Sequence, residues 1–95
     1  MTHLVYDNSF EGFLTAVFIT FSHRYQEVII SSQSSYLPAL FGEELTIYTD
    51  LAQVKRVLTK IETTWGREGV SIFLKAFLSQ EEKIENALLE AIQMM

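Results

Sequence analysis

The stretch Tyr6–Phe21, with the sequence YDNSFEGFLTAVFITF, decides how this chain folds. Its large apolar residues recur at the i, i+3, i+4, i+7 spacing of one helix face. They are Phe10, Phe13, Leu14, Val17, Phe18 and Phe21. Asn8 and Glu11 have the spacing of a capping box, so the pattern predicts a helix that begins directly after Asn8. A helix with four phenylalanines on one stripe is a core element, and we expect the other elements to pack around it.

The opposite side of this helix is also apolar. Gly12, Ala16 and Ile19 fall together there, and only a narrow polar strip remains between the two apolar sides. A helix that is apolar on two sides is normally enclosed on both. We therefore interpret Gly12, Ala16 and Ile19 as a surface for a partner or for a further part of the protein.

Length and composition limit the possible classes of protein. The 95 residues, 48% of them hydrophobic, suffice for a single domain over residues 1–95. The net charge of −5 argues against a stand-alone nucleic-acid-binding protein, because phosphate contacts need clustered Lys and Arg. Since the chain has no Cys, disulfides and thiolate catalysis are excluded. The apolar run 13–21 is too short to cross a bilayer and lacks the basic start of a signal peptide, so we expect a cytoplasmic protein without membrane contact.

The remaining patterns predict an α+β fold, in which a small sheet of two or three strands packs with four helices. β-prone segments place the strands around residues 2–6, 27–31 and 45–49. After the first helix, a second helix should begin at the N-cap Asp50 and end at Gly66. The third helix should cover 67–78, and a capping box at Ser79 should open the fourth, from 80 to about 94.

The second and fourth helices each have an apolar stripe. In the second helix the stripe comprises Leu51, Val54, Leu58, Ile61 and Trp65, which favours core packing for Trp65 over base stacking.

The chain stops within the stripe of the fourth helix. We expect Leu89, Ile92 and Met95 to be covered by further chain or by a partner. The alternative is that the helix simply ends there.

No constellation of catalytic residues is visible. His3 and His23 are far apart and lack the spacing of metal ligands. The paired carboxylates at 43–44 and 81–82 follow a turn or fill a first helical turn, where they satisfy the backbone and the helix dipole. Neither a nucleophile elbow nor a phosphate-binding loop is present. The sequence therefore predicts no catalytic, metal-binding or cofactor-binding residue in this chain.

Basic residues cluster on the outer side of the second helix. Lys55, Arg56 and Lys60 share this side, and they form a candidate surface for phosphate contacts. A solvated helix face explains the same pattern, because Glu62 and the overall acidity dilute the positive charge.

Residues 6–18 (YDNSFEGFLTAVF) resemble the opening of an uncharacterised bacterial family of probable DNA metabolism proteins. Three shorter pieces resemble it in the same order. They are LFGE at 40–43, Thr49-Asp50 before a helix with Val54 and Arg56, and KAFLS at 75–79. The chain departs from the family at Asn8, where Gly is common, and both residues tolerate a cap or a positive φ.

This resemblance implies a bacterial DNA repair or modification setting. Members of the family are usually encoded beside a radical S-adenosylmethionine protein with a helix–hairpin–helix element, and some are fused to a uracil-DNA glycosylase-like domain. Members are usually longer, which implies that this chain is an N-terminal portion.

A second resemblance lies in the connector. Pro38, Leu40 and Phe41 are similar to the short peptide with which bacterial proteins bind the DNA sliding clamp. Packing of Leu40 and Phe41 into the core is the alternative.

These observations lead to one functional expectation and two alternatives. We expect a non-catalytic accessory module of a bacterial DNA modification or repair system that binds a radical S-adenosylmethionine protein or its own missing C-terminal part. A homodimer is possible, and nucleic acid would be contacted only indirectly. One alternative is an incomplete portion of a nucleic-acid-modifying enzyme whose active site is completed elsewhere. The other is a small structural domain without a partner.

Overall fold

A computed structural model describes residues 2–34, 43–79 and 84–94. Over these residues the chain is a mixed α+β protein, as expected. The elements in order are β1 (Thr2–Tyr6), α1 (Phe10–Ser22), β2 (Val28–Ser32), β3 (Glu43–Thr46), α2 (Leu51–Leu78) and α3 (Ile84–Gln93).

The three strands form a parallel sheet in the order β2-β1-β3. Leu4 of the central strand is aligned with Ile30 on one side and with Leu45 on the other. Because β1 and β2 are parallel, the chain must cross over between them, and α1 makes this crossover. Successive side chains of a strand point to opposite faces. Leu4 and Tyr6 therefore share the face that belongs to the main core, whereas Val5 is buried on the other face, outside that core cluster.

Helix α1 is the centre of the core, as its sequence predicted. Seven of its thirteen residues are buried, on both sides of the helix: Gly12, Phe13, Leu14, Thr15, Ala16, Val17 and Thr20. Its N-cap is Ser9 rather than the expected Asn8, which instead adopts a positive φ of 71°. Asn tolerates this left-handed conformation better than most residues.

An aromatic cluster joins α1 to the sheet and to α2. The Phe77 ring lies 5.4 Å from that of Phe13, 5.3 Å from that of Phe10 and 6.0 Å from that of Tyr6, between ring centroids. Such offset and tilted pairs contribute beyond the burial of their area. The cluster therefore fixes the end of α2 against the start of α1.

The expected four helices become three in the described part of the chain. Residues 51–78 form one element, α2, which is interrupted at Gly66, where φ is 72° and ψ is −174°. Only glycine adopts this conformation readily, so the predicted stop signal at Gly66 acts as a break within the helix. Ser79 is the C-cap of α2, and its Oγ donates a hydrogen bond to the Ala76 carbonyl at 2.6 Å. The predicted start of the fourth helix at residue 80 lies outside the described residues, and α3 corresponds to the remainder of that helix.

The predicted inner stripe of the second helix is only partly covered. Val54 and Ile61 are buried, but Leu51 is 71% exposed and Trp65 is 42% exposed. The prediction of core packing is therefore wrong for Trp65, which lies at the surface and stacks on Phe73 at 5.2 Å. Phe21, at the end of the predicted α1 stripe, is likewise 42% exposed.

Candidate functional site

A polar network lies where β1 and β3 end and α1 begins. Asp7 Oδ1 accepts hydrogen bonds from the Ser9 backbone N–H at 3.1 Å and from Ser9 Oγ at 2.5 Å. Asp7 Oδ2 accepts a hydrogen bond from Thr49 Oγ1 at 3.3 Å. Ser9 Oγ in turn accepts the Gly12 N–H at 2.9 Å, which caps α1. The carboxylate of Asp7 thus connects the helix start with the segment after β3.

This network occupies the position at which open parallel sheets bind ligands. In such sheets, ligands bind outside the carboxyl ends of the strands, where the strand order reverses. In the order β2-β1-β3 the reversal lies between β1 and β3, the strands that Asp7 and Thr49 follow. Asp7 and Thr49 therefore mark the most favourable place in this fold for a small-molecule site.

The electrostatics of Asp7 point to a structural carboxylate. The hydrogen bond from the Ser9 side chain is the largest influence and lowers the pKa of Asp7 below its ordinary value, although partial burial opposes this shift. Asp7 is therefore ionised at neutral pH, next to the positive end of the α1 dipole. Because both of its oxygens already accept hydrogen bonds, the carboxylate is a poor general base in this state.

Gly12 leaves the space that the Asp7 carboxylate fills. A Cβ at this position would clash with Asp7 Oδ1 and would lie 3.1 Å from Ser9 Oγ. Gly12 is therefore buried by its own cap, not by a partner.

Asn8 extends the network to the end of β2. Its Oδ1 accepts hydrogen bonds from the Ser34 N–H and Oγ, each at 3.3 Å, in the turn after β2. The loop between β1 and α1 therefore connects the carboxyl ends of all three strands.

A second group of polar contacts fixes α3. The Asn86 side chain donates from Nδ2 to the Val28 carbonyl at 3.0 Å and accepts the Ile30 N–H at Oδ1, at 3.1 Å. This amide takes the place of a neighbouring strand at the outer edge of β2 and covers part of that edge. Tyr6 Oη donates to Glu85 Oε2 at 2.9 Å. Burial, and secondarily this hydrogen bond, raises the pKa of Tyr6 well above its ordinary value, so the phenol stays protonated as a donor.

A shallow depression of about 290 Å³ lies beside this contact. It is lined by Gln26, Glu27, Val28, Ile29, Asn86, Leu89, Glu90 and Gln93. Its polar groups are amides and two carboxylates, and it includes none of the residues of the Asp7 network. It therefore offers no combination of nucleophile and base.

The structure corrects the predicted partner surface. Gly12, Ala16, Leu89 and Ile92 are buried within the chain itself. Residues that are buried in this way offer almost no surface to a partner in this fold, so these four residues do not form the expected open face. Ile19 is partly buried against the core.

Other predicted site residues lie outside the described part of the chain. They are Met95 and the clamp-like peptide Pro38, Leu40 and Phe41.

The predicted basic residues do not form one patch. Lys55, Arg56 and Lys60 are all exposed. Arg56 lies over the Phe18 ring of α1, 5.5 Å from the ring centroid. Lys60 follows Arg56 by one helical turn, whereas Lys55 lies about 140° around the helix from Lys60. Only Arg56 and Lys60 therefore share the side that borders α1.

The sequence also did not predict the apolar surface on α2 beyond Gly66. Ile72 is 65% exposed, Leu78 is 60% exposed and Leu74 is partly exposed. Leu74 lies about 160° around the helix from Ile72 and is not part of the same side. Ile72 and Leu78 lie about 120° apart, on either side of Lys75, and we call these two residues the outer surface of α2.

The described residues include no group of three or more His, Cys, Asp or Glu that could hold a metal ion. None of their helices is long and apolar enough to cross a membrane.

Comparison of the chain with protein-family models, curated proteins and solved structures found no match. The family resemblance of residues 6–18 therefore stays a sequence-based expectation.

Proposed function

We propose that this chain is a non-catalytic accessory module of a bacterial DNA modification or repair system, and that it binds the system's radical S-adenosylmethionine protein. The resemblance of residues 6–18 supplies the biological setting. The observation that carries the proposal is the outer surface of α2, because Ile72 and Leu78 are large apolar side chains that stay 65% and 60% exposed. The proposal supposes a cytoplasmic protein.

The outer surface of α2 has the character of a docking site. Its inner side is already filled by Phe73 and Phe77, so the exposed residues are not an unfinished part of the core. Lys75 lies between Ile72 and Leu78 on the exposed side. A partner helix with an apolar stripe and a carboxylate opposite Lys75 would complement it.

Co-purification tests this proposal. The chain is co-expressed with the radical S-adenosylmethionine protein from the adjacent gene, and the retained partner is quantified. We expect the wild type to retain it and Ile72→Glu/Leu78→Glu to lose at least about tenfold of it, since buried apolar anchors dominate interfaces. The control Thr59→Glu/Thr63→Glu introduces the same charge at exposed sites before Gly66 and should retain the partner. No retention by the wild type, or equal loss in both variants, refutes the proposal.

A second candidate function is the incomplete nucleic-acid-modifying enzyme. The position of Asp7 at the strand-order reversal supports it. If it is right, Asp7→Asn should abolish the activity of the assembled system while the complex still forms. If Asp7 is purely structural, the variant keeps activity and only its stability falls.

A further inference from the structure

The positive charge of this acidic chain is concentrated in two segments. Residues 12–26 and 51–61 contain four of the seven Lys and Arg residues and none of the twelve Asp and Glu residues. These segments are most of α1 with the turn that follows it, and the first part of α2. Because α1 and α2 pack against each other, Arg56 and Lys60 lie where the two helices meet and Arg24 follows the end of α1, whereas Lys55 lies on another side of α2.

Two contacts fix how the two helices lie. The Asp50 N–H donates to Thr15 Oγ1 at 3.1 Å, and Arg56 lies over the Phe18 ring. From the first contact to the second, the residue number increases along both helices. The two helices, α1 and the first part of α2, therefore run in roughly the same direction. One helical turn further, Phe21 of α1 and Lys60 of α2 follow these pairs. Arg24 lies just beyond the end of α1.

Arg24 is held in an unfavourable backbone conformation. Its φ is 55°, and it occupies the position after the C-cap of α1, where Tyr25 N–H bonds to the Thr20 carbonyl and Arg24 N–H to the Phe21 carbonyl. This is the Schellman arrangement, in which glycine is usual. An arginine here adds a cation at the end of α1 at the expense of backbone strain.

Aromatic side chains lie among these cations. Phe21 is partly exposed, and the Phe18 ring lies beneath the Arg56 guanidinium. Glu62 does not reduce the positive charge of this surface, because it lies about 160° around α2 from Lys60. Its Oε1 instead lies 3.9 Å from Arg67 Nε. Exposed aromatic rings among cations are typical of surfaces that bind single-stranded nucleic acid, where phosphates meet cations and bases stack on rings.

From this arrangement we infer that Arg24, Arg56, Lys60 and Phe21 form a contact surface for single-stranded nucleic acid. The three cations contact the phosphates, and the Phe21 ring stacks on a base. This inference goes beyond the proposed accessory function, and it shares no residue with the outer surface of α2, so either proposal can fail alone.

Fluorescence anisotropy with a labelled oligothymidylate of about 15 nucleotides tests the inference. At about 50 mM salt the wild type should bind, and log K should fall with log salt with a slope of about −2, since each phosphate contact of a single strand contributes about −0.7. Arg56→Glu/Lys60→Glu should weaken binding by about tenfold or more. The matched control Arg67→Glu/Lys75→Glu changes the net charge equally, beyond Gly66, and should bind within about twofold of the wild type.

Two further variants show whether a loss of binding comes from the lost side chain itself or from a loss of stability. Phe21→Leu keeps an apolar side chain but loses the ring, so binding should weaken by about fivefold or more with an unchanged unfolding midpoint. Arg24→Gly should bind more weakly and yet raise the unfolding midpoint, because glycine relieves the strain.

The inference is overturned if the wild type fails to bind the oligonucleotide, or if the control double variant loses as much affinity as Arg56→Glu/Lys60→Glu. It is also overturned if a polyglutamate peptide binds as tightly as the oligonucleotide, since an acidic protein would then be the better ligand.

Discussion

Replacing Gly12 by alanine tests whether the α1 cap is closed by its own chain. The new Cβ would clash with Asp7 Oδ1 and crowd Ser9 Oγ at 3.1 Å. Asp7 cannot move away without losing its hydrogen bonds to Ser9 and Thr49. Such overpacking costs about 1–3 kcal/mol, and the gain in helix propensity offsets at most about 1 kcal/mol of it. We therefore expect Gly12→Ala to lower the free energy of unfolding by about 1–2 kcal/mol.

The sign of the effect should reverse when the carboxylate is removed. In an Asp7→Ala background the main obstacle is gone, so Gly12→Ala should stabilise that variant by about 0.5 kcal/mol. Thermal unfolding followed by circular dichroism measures both changes. A chain of this size shifts its midpoint by about 4–8 °C per kcal/mol. An equal effect of Gly12→Ala in both backgrounds would show that the Asp7 carboxylate does not occupy the space above Gly12.

Three further predictions concern single residues. Gly66→Ala should destabilise the protein by about 1–3 kcal/mol in urea unfolding, purely through the backbone, since no atom lies within 4 Å of the added Cβ. Asn86→Ala should lower the free energy of unfolding by about 2 kcal/mol and speed hydrogen exchange of the Ile30 N–H, which loses its acceptor. The control Gln93→Ala should change neither quantity. Asp7 has a lowered pKa, so its stabilising effect is present above its unfolded pKa of about 3.9 and is lost as the pH falls through the folded value. The stability difference between wild type and Asp7→Asn should therefore shrink as the pH falls below about 5, and it should continue to shrink below the unfolded pKa.

The parts of the fold that the sequence predicted correctly depend on local signals. Strand β1 has the predicted bounds, and Asp50 caps α2 by accepting the Ala52 and Gln53 N–H groups. Gly66 interrupts the helix where predicted because a left-handed residue is recognised from its type alone. In each case a few neighbouring residues determine the conformation.

The contacts that close the fold were not predictable in this way. Asn86 and Tyr6 meet partners 56 or more residues away in sequence, and neither sits in a motif that indicates an edge cover or a buried phenol. Strand order likewise depends on which elements pack together rather than on any one segment. The Asp7 network was missed for the same reason, since Thr49 reaches Asp7 only after β1 and β3 have paired.

The wrong partner surface shows what an apolar helix face does and does not indicate. Ala16 was correctly recognised as a residue that must be enclosed, but the enclosing residues come from this chain. The reverse holds beyond Gly66, where Phe73 and Phe77 already fill the inner side of α2 and Ile72 and Leu78 still face outward. Neither packing nor helix formation requires a large apolar residue at those two positions, because a polar helix former would serve the fold equally well. The case for a bound partner therefore moves from α1 to the outer surface of α2.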